Sequence, residues 1–514
     1  FRGTGLWFFA GIQSPAFAFD TLSQSFLRPD KFSMEPVAKN SKLGWIAGIL
    51  LAGLFAFKLI SIIAGPSPKQ ANLLLITLDT LRPDHLNVYG YQRATSPSLS
   101  ELAKDSFVLD KAFTVATNSG PSHATLLTGL YPAQHGLVDN GQRINEETRT
   151  LAETLRQTGY DTAGFIGYHA LSEEAGLDKG FQVFEFHPIA SHDHDEKEPD
   201  DDLKGFDAVT GWLESWAQAD EKSPFFVWMH VQNIHESYDP PAPYNSMFGK
   251  ISAPQPLEDF DGDFDVRCAN DLDEAWRAGI LPPRFKEEVI ALYDGEIRLV
   301  DDQLGQIFAM LKSFGVYEDT VIVVVSDHGE VLFELYENGF YGKGPGHTAR
   351  YSDVSLRVPL ILKPAGFHQF EKTARLEQTL STIDLVPTLL ELLALQIPAD
   401  LPGESWVPAM RQPRSTPTSR KIFFHEKPYG VEYSGVRTDQ WKFVQKNEEG
   451  IESSLLIDLV NDPEENHSAD SLSKAKEMVV FLEEWKKENQ AIIKMREVSE
   501  AMRQALKEGG YIRQ

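Results

Sequence analysis

Apolar runs and amphipathic stretches alternate along most of the chain. Short runs that are almost entirely apolar occupy residues 72–79, 225–231 and 320–330, and the first and last of them end in acidic or polar residues. Such runs are typical of strands buried on both faces of a parallel sheet. Residues 150–158 and 287–311 instead carry apolar positions at helical spacing. The alternation predicts an α/β fold with a mostly parallel central sheet.

The pattern changes towards the C-terminus. Residues 380–395 are typical of a helix interrupted by Pro387, residues 420–460 contain several short strand-like runs, and the chain from Ser471 onward is charged and amphipathic. We therefore expect a larger domain over residues 70–395 and a smaller C-terminal α+β subdomain over residues 396–514.

The longest apolar run covers residues 43–65, with Lys58 as its single charge. Its length suits a helix that crosses a bilayer. Lys39 and Lys42 precede it, so the positive-inside rule predicts that the rest of the chain faces outward. We expect an uncleaved membrane anchor, with a cleaved signal peptide as the alternative; both place the remainder in the periplasm or outside the cell. Residues 1–42 are expected to be a disordered leader or cytoplasmic segment.

Composition narrows the function classes. The 514 residues carry a formal net charge of -27, which disfavours a nucleic-acid partner recognised by a basic surface. The single cysteine excludes an intrachain disulfide. An acidic protein that binds an anion needs a local source of positive charge, and a bound metal ion is the simplest one.

Acidic and imidazole side chains end two of the predicted strands. Asp79 closes the first run, and Asp327 with His328 closes the third. Ligands of open α/β sheets gather beyond the carboxyl ends of the strands, so these residues are expected to converge. Their oxygen and nitrogen donors suit Mg, Mn, Ca or Zn. Helix capping by Asp79 and a solvated turn at residues 327–328 are the alternatives.

Three further segments carry candidate chemistry. Ser119 stands just before Pro121, which favours a helix start and would place the hydroxyl at the positive end of a helix dipole. An ordinary capping serine is the alternative. His235 follows a predicted strand, and Lys343 and His347 lie in a glycine-rich stretch. These side chains could contact or protonate an anion, or be structural.

Seven blocks of the chain together resemble the sulfatase family of the alkaline phosphatase superfamily, at residues 72–86, 119–132, 150–160, 176–181, 326–330, 357–362 and 455–466. The resemblance implies an alkaline phosphatase-like sandwich, with the catalytic domain over residues 70–395. It implies a metal-dependent hydrolase of sulfuric or phosphoric esters that holds one divalent metal (Ca, Mg or Mn, with Zn as a further option).

The resemblance also implies roles for individual residues. Asp79, Asp327, His328 and Ser119 would bind the metal, and Ser119 would be the nucleophile. The residues that would contact or protonate the ester are His235, His347 and Lys343, with His123, His135 and Thr80 as further substrate-binding candidates. The substrate would be an anionic ester such as a sulfated glycan or a phosphodiester.

The chain departs from the family pattern at the nucleophile. Sulfatases carry a C/S-x-P-x-R element whose first residue becomes formylglycine, whereas here His123 replaces the arginine. We therefore expect Ser119 to stay unmodified. Thr80 replaces a second aspartate of many sulfatases, which resembles phosphonate monoester hydrolases and phosphodiesterases. A membrane-anchored phosphoglycerol or phosphoethanolamine transferase and a non-catalytic anion-binding relative are the alternatives.

Overall fold

The apolar runs form the middle of a large central sheet. The structure is a computed structural model and describes residues 70–188, 203–257, 259–260, 262–267, 269–334, 338, 340–341, 346–366, 370, 373–413 and 420–489. Within these residues the central sheet has eight strands: β1 (Asn72–Leu78), β2 (Phe107–Phe113), β3 (Asp161–Ile166), β4 (Val183–Phe186), β5 (Phe225–Val231), β8 (Thr320–Ser326), β9 (Arg357–Lys363) and β10 (Arg375–Ser381). Their order across the sheet is β10-β2-β9-β8-β1-β5-β3-β4. Only β9 runs antiparallel to its neighbours. The predicted mostly parallel sheet is confirmed.

Both faces of this sheet are covered. Every residue of β1, β5 and β8 is buried. Successive side chains of a strand point to opposite faces, and those of β1 divide accordingly, with Leu73 and Leu75 in one apolar cluster and Leu74 and Ile76 in another. The unbroken apolar runs therefore reflect burial on two sides.

Helices connect and cover the strands: α1 (Pro97–Leu102), α2 (Ser119–Thr128), α3 (Pro132–His135), α4 (Leu151–Gln157), α5 (Lys204–Gln218), α6 (Ala269–Ala278), α7 (Pro283–Ser313), α8 (Asp353–Leu356), α9 (Leu385–Leu392), α10 (Val407–Arg411) and α11 (Leu472–Glu488). The Thr150 side chain caps α4 together with Glu153. A short hairpin pairs β6 (Gln255–Pro256) with β7 (Asp263–Phe264).

The C-terminal segment folds as the sequence predicts, as an antiparallel sheet with a helix. Its order is β11-β12-β13-β14, with β11 at Ile422–Glu426, β12 at Glu432–Arg437, β13 at Trp441–Glu448 and β14 at Ile451–Asp458. Helix α11 packs through Met478, Leu482 and Trp485 into an apolar cluster that also contains Val436 and Phe443 of this sheet.

Two local predictions need correction. The helix expected over residues 380–395 begins only at Leu385, because β10 extends to Ser381 and a turn follows. Pro387 lies in the first turn of α9, where an N–H group has no intrahelical acceptor. Ser119 is the first residue of α2 and follows the N-cap Asn118.

The expected membrane anchor at residues 43–65 and the leader at residues 1–42 lie outside the described residues. Of the helices in the described part of the chain, none combines the length and apolar character that a bilayer crossing needs.

Candidate active site

Strand register brings the predicted acidic residues together. Leu78 of β1 pairs with Ser326 of β8 on one side and with Val231 of β5 on the other. Asp79 and Asp327 therefore leave adjacent strands at the same level, at the carboxyl edge of the sheet. Asp79, Asp327 and His328 are fully buried, and one donor atom from each lies within 4.8 Å of the others.

The donor atoms of this cluster suit a cation. His328 Nδ1 lies 3.1 Å from the Gly329 carbonyl; since a carbonyl accepts, Nδ1 carries the proton and Nε2 presents a lone pair. The Nε2 atom lies 3.2 Å from Asp327 Oδ2 and 3.9 Å from Asp79 Oδ1. Neither of these carboxylate oxygens has a hydrogen-bond partner. Buried acceptors that face one another are costly unless a positive charge lies between them.

The pKa values of the two carboxyl groups show the same conflict. Burial favours the neutral form of Asp79, but His230, His235 and His328 hold its pKa below the usual value. Burial and the neighbouring Asp79 raise the pKa of Asp327 to about 6. Two carboxylates that share one buried site do not both ionise readily without a cation.

Ser119 borders this cluster. Its Oγ lies 3.2 Å from His328 Nε2, and its position in the first turn of α2 places it at the positive end of the helix dipole. His123, one turn later, donates from Nδ1 to the Ser119 carbonyl at 2.8 Å and lies 3.5 Å from Asp327 Oδ2. Burial and His230 lower the pKa of His123 well below its usual value, so this ring is neutral.

Two histidines form the outer side of the site. The rings of His347 and His328 stack with centroids 4.3 Å apart, and His235 meets His347 edge to face at 5.2 Å. His235 Nδ1 lies 2.6 Å from the Glu236 carbonyl, so its proton is fixed there and Nε2 is the nitrogen that would exchange a proton. His347 Nδ1 lies 3.3 Å from Glu330 Oε2.

The pKa values of the two outer histidines shift in opposite directions. Burial lowers the pKa of His235, but Asp79, Glu236 and Glu330 outweigh this effect and raise the pKa above its usual value. Burial and the neighbouring His328 and His235 lower the pKa of His347 well below its usual value. His235 is therefore the one suited to donate a proton near neutral pH.

The remaining predicted site residues are Thr80, His135 and Lys343. Thr80 has a backbone φ of 55°, its N–H donates to Asp327 Oδ1 at 3.2 Å, and its hydroxyl donates to the Ile234 carbonyl at 3.1 Å. Both polar groups thus serve neighbouring segments. His135 lies behind α2, where Nδ1 accepts from the Leu137 N–H and Nε2 lies 3.3 Å from Thr125 Oγ1. Lys343 lies outside the described residues.

Sequence inspection missed His230 and Glu330. His230 pairs with Thr77 in the sheet; its Nδ1 accepts from the Gly167 N–H at 3.2 Å, which leaves Nε2 as a donor 3.5 Å from Asp79 Oδ2. A histidine inside an otherwise apolar strand was the available signal, because a buried polar group needs a partner. Glu330 is fully buried, and burial raises its pKa to about 7.

Known proteins and protein families resemble this chain over most of its length. The sulfatase family model matches residues 71–395, and the model for the C-terminal part of N-sulphoglucosamine sulphohydrolase matches residues 339–491. An N-acetylglucosamine-6-O-sulfatase of Bacteroides thetaiotaomicron is 24% identical, with 82% of this chain and 87% of the relative aligned.

Solved structures share the fold. A protein in complex with its substrate D-glucosamine-2-N,6-O-disulfate superposes with a TM-score of 0.64 at 21% identity, covering 82% of this chain and 98% of that one. The phosphonate monoester hydrolase of Agrobacterium radiobacter gives a TM-score of 0.61 at 22% identity, covering 82% of this chain and 95% of that one. The family model covers more than half of the sequence, and the chain therefore belongs to the sulfatase family of ester hydrolases.

Proposed function

We propose that this chain is a metal-dependent hydrolase of anionic esters that uses unmodified Ser119 as its nucleophile. The observation that carries the proposal is the position of Ser119 Oγ, 3.2 Å from His328 Nε2, at the edge of a buried cluster of unpaired carboxylate oxygens. A nucleophilic hydroxyl needs activation by a neighbouring base or a metal ion.

One divalent cation would be held by Asp79, Asp327, His328 and the Ser119 hydroxyl. The fixed tautomer of His328 and the carboxylate oxygens without hydrogen bonds fit such an ion. When bound, the ion lowers the pKa of the serine hydroxyl and offsets the charge that develops on the ester oxygens.

The residues of the chain would then act in two displacements. Ser119 loses its proton to solvent, and its oxygen bonds to the central atom of the ester as the bond to the leaving oxygen breaks. His235 transfers its Nε2 proton to that leaving oxygen. Water next attacks the central atom and gives one proton to His235 Nε2, and the departing serine oxygen takes a proton back from solvent. This step releases the acid product and restores both Ser119 and His235.

The chemistry of serine favours a phosphorus ester. A formylglycine diol expels sulfate by collapsing to the aldehyde, which a plain serine does not do, whereas water can attack the phosphorus of a phosphoserine intermediate. A phosphodiester or phosphonate monoester is therefore the proposed substrate class. Sulfate esters, on which relatives such as the N-acetylglucosamine-6-O-sulfatase act by name, are the second candidate.

The test is a substrate panel with purified protein: para-nitrophenyl sulfate, para-nitrophenyl phosphate, bis(para-nitrophenyl) phosphate and a para-nitrophenyl phosphonate, each with and without chelator. We expect Ser119→Ala to abolish turnover of the phosphodiester or phosphonate while the protein keeps its bound metal. Ser100→Ala is the matched control, since its hydroxyl donates within its own helix, α1. Unchanged turnover in Ser119→Ala, or a peptide mass showing oxidised Ser119, would refute the proposal.

We also propose that residues 43–65 anchor the protein, with the hydrolase on the outer side of the membrane. The apolar length of this segment and the lysines before it support the proposal. Protease added to spheroplasts, whose cytoplasmic membrane is intact and exposed, should degrade the catalytic domain; protection comparable to that of a cytoplasmic marker would contradict the proposal.

A further inference from the structure

One strand of the C-terminal subdomain, β11, forms backbone hydrogen bonds with the catalytic domain close to the proposed nucleophile. Beyond its pairing with β12, the end of β11 bonds to the catalytic domain: the His425 N–H donates to the Val115 carbonyl at 3.2 Å, and the Lys427 N–H donates to the Val138 carbonyl at 2.7 Å. Glu426 lies between these two contacts and is fully buried. The C-terminal subdomain thus contributes a buried acid to the region just before Ser119.

Glu426 binds the two residues that precede Ser119. Its Oε1 accepts from the Thr117 N–H at 3.0 Å and from the Thr117 hydroxyl at 2.6 Å, and its Oε2 accepts from the Asn118 N–H at 3.1 Å. Hydrogen bonds to a carboxylate are stronger than neutral ones. The carboxylate therefore fixes the backbone that leads directly into α2.

The same short segment is connected to the outer side of the site. The Asn118 side chain donates to Asp139 Oδ1 at 3.3 Å and accepts from the Thr348 hydroxyl at 2.9 Å. Thr348 directly follows His347, whose ring stacks on His328. A shift of Asn118 would therefore displace Ser119 together with the segment that carries His347 and Thr348.

We infer that Glu426 is a positioning residue, which holds the Thr117–Asn118 backbone so that the Ser119 oxygen stays in line with the ester. The inference rests on the proposed function, since it assigns a consequence to the placement of that oxygen. Reaction rates are sensitive to such placement, because a displacement of about 1 Å can cost roughly a hundredfold. A buried acid that only stabilised the subdomain would change the folded fraction and leave the rate of folded enzyme unchanged.

The test uses Glu426→Gln in the full-length protein. Glutamine has nearly the same size and can still accept from Thr117, but its NH2 group, which donates, would face the Asn118 N–H. Glu465→Gln is the matched control, because Glu465 is also a buried acid of this subdomain and binds Lys442 and the Asp353 N–H. Thr117→Val is a milder second variant that removes only the hydroxyl donor to Glu426.

Two measurements are made on each variant: steady-state kinetics on the best ester of the panel, and hydrogen–deuterium exchange of the peptide that contains residues 115–122. For Glu426→Gln we expect kcat to fall about 10- to 100-fold with KM within about twofold, together with faster exchange in this peptide. Thr117→Val should show a smaller change in the same direction, and Glu465→Gln should lower thermal stability alone.

Unchanged exchange in Glu426→Gln would refute the inference that Glu426 holds the segment before Ser119. Faster exchange with unchanged kcat would refute the inference that this contact matters for the reaction rate. If Glu426→Gln does not fold, Thr117→Val decides by the same two criteria. Wild-type protein that cleaves none of the esters would refute the proposed function instead, and the exchange data would still decide whether Glu426 holds the segment before Ser119.

Discussion

Replacement of Asp327 by asparagine should stabilise the metal-free protein while destroying its activity. Burial and Asp79 raise the pKa of Asp327 from 3.8 to about 6. One pKa unit corresponds to about 1.4 kcal/mol, so the ionised Asp327 destabilises the metal-free fold by about 3 kcal/mol at neutral pH. The asparagine Oδ1 can still accept from the N–H groups of Thr80 and His328, which now donate to Asp327 Oδ1. Its NH2 group can donate to the lone pair of His328 Nε2.

The sign of the pH dependence follows from the direction of this shift. An acid whose pKa is higher in the folded state binds more protons when folded, so the stability of the metal-free wild type falls as pH rises from about 4 to about 6 and then stays low. Asp327→Asn has no carboxyl group to ionise at this position, so its stability does not fall over this pH range. The two proteins should be similar in stability near pH 4, and the variant should be more stable by up to about 3 kcal/mol at pH 7.5.

The assay is urea unfolding followed by tryptophan fluorescence, in chelator and then with a divalent metal. Metal at about 100 times its dissociation constant should add about 2.7 kcal/mol to the free energy of unfolding of the wild type and nothing to that of Asp327→Asn. The stability difference between the two proteins should therefore narrow or reverse. A metal-free Asp327→Asn that is less stable than wild type at pH 7.5, or a gap that does not change with pH, would refute the account of two competing carboxylates.

Other predictions concern the neighbouring histidines and the metal. His230→Leu should weaken metal affinity about 10- to 100-fold, because it removes the donor to Asp79, whereas His230→Gln should retain most of the affinity; metal titration checks this. His235→Gln should slow hydrolysis of alkyl esters far more than that of para-nitrophenyl esters, because only the poor alkoxide leaving group needs a proton. Equal losses of rate for the two kinds of ester would mean that another group donates the proton. Chelated enzyme should recover with Zn or Mn at lower concentration than with Ca, since His328 supplies a nitrogen ligand; tighter activation by Ca would contradict this ligand set.

Local sequence patterns were enough to find the residues at the ends of strands. Asp79, Asp327 and His328 each follow an apolar run that is buried on both faces, and a polar side chain at that point lies at the edge of the sheet where ligands bind. The same local reasoning placed Ser119 beside a helix start, although the helix begins at Ser119 itself, two residues before Pro121. The mostly parallel sheet followed from the alternation of strand and helix patterns alone.

Tertiary structure alone decided which distant groups serve these residues. His230 reaches Asp79 because β5 pairs with β1 in a register that places His230 opposite Thr77, and the sequence of either strand leaves that register open. Glu426 reaches the backbone before Ser119 from a strand more than 300 residues away. Its strand ends in an acid, much as β1 is followed by one, but hydrophobic periodicity specifies which residues are buried and not which segments meet. Packing of the C-terminal sheet against the catalytic domain settles that choice, so the support of the site appears only in the folded chain.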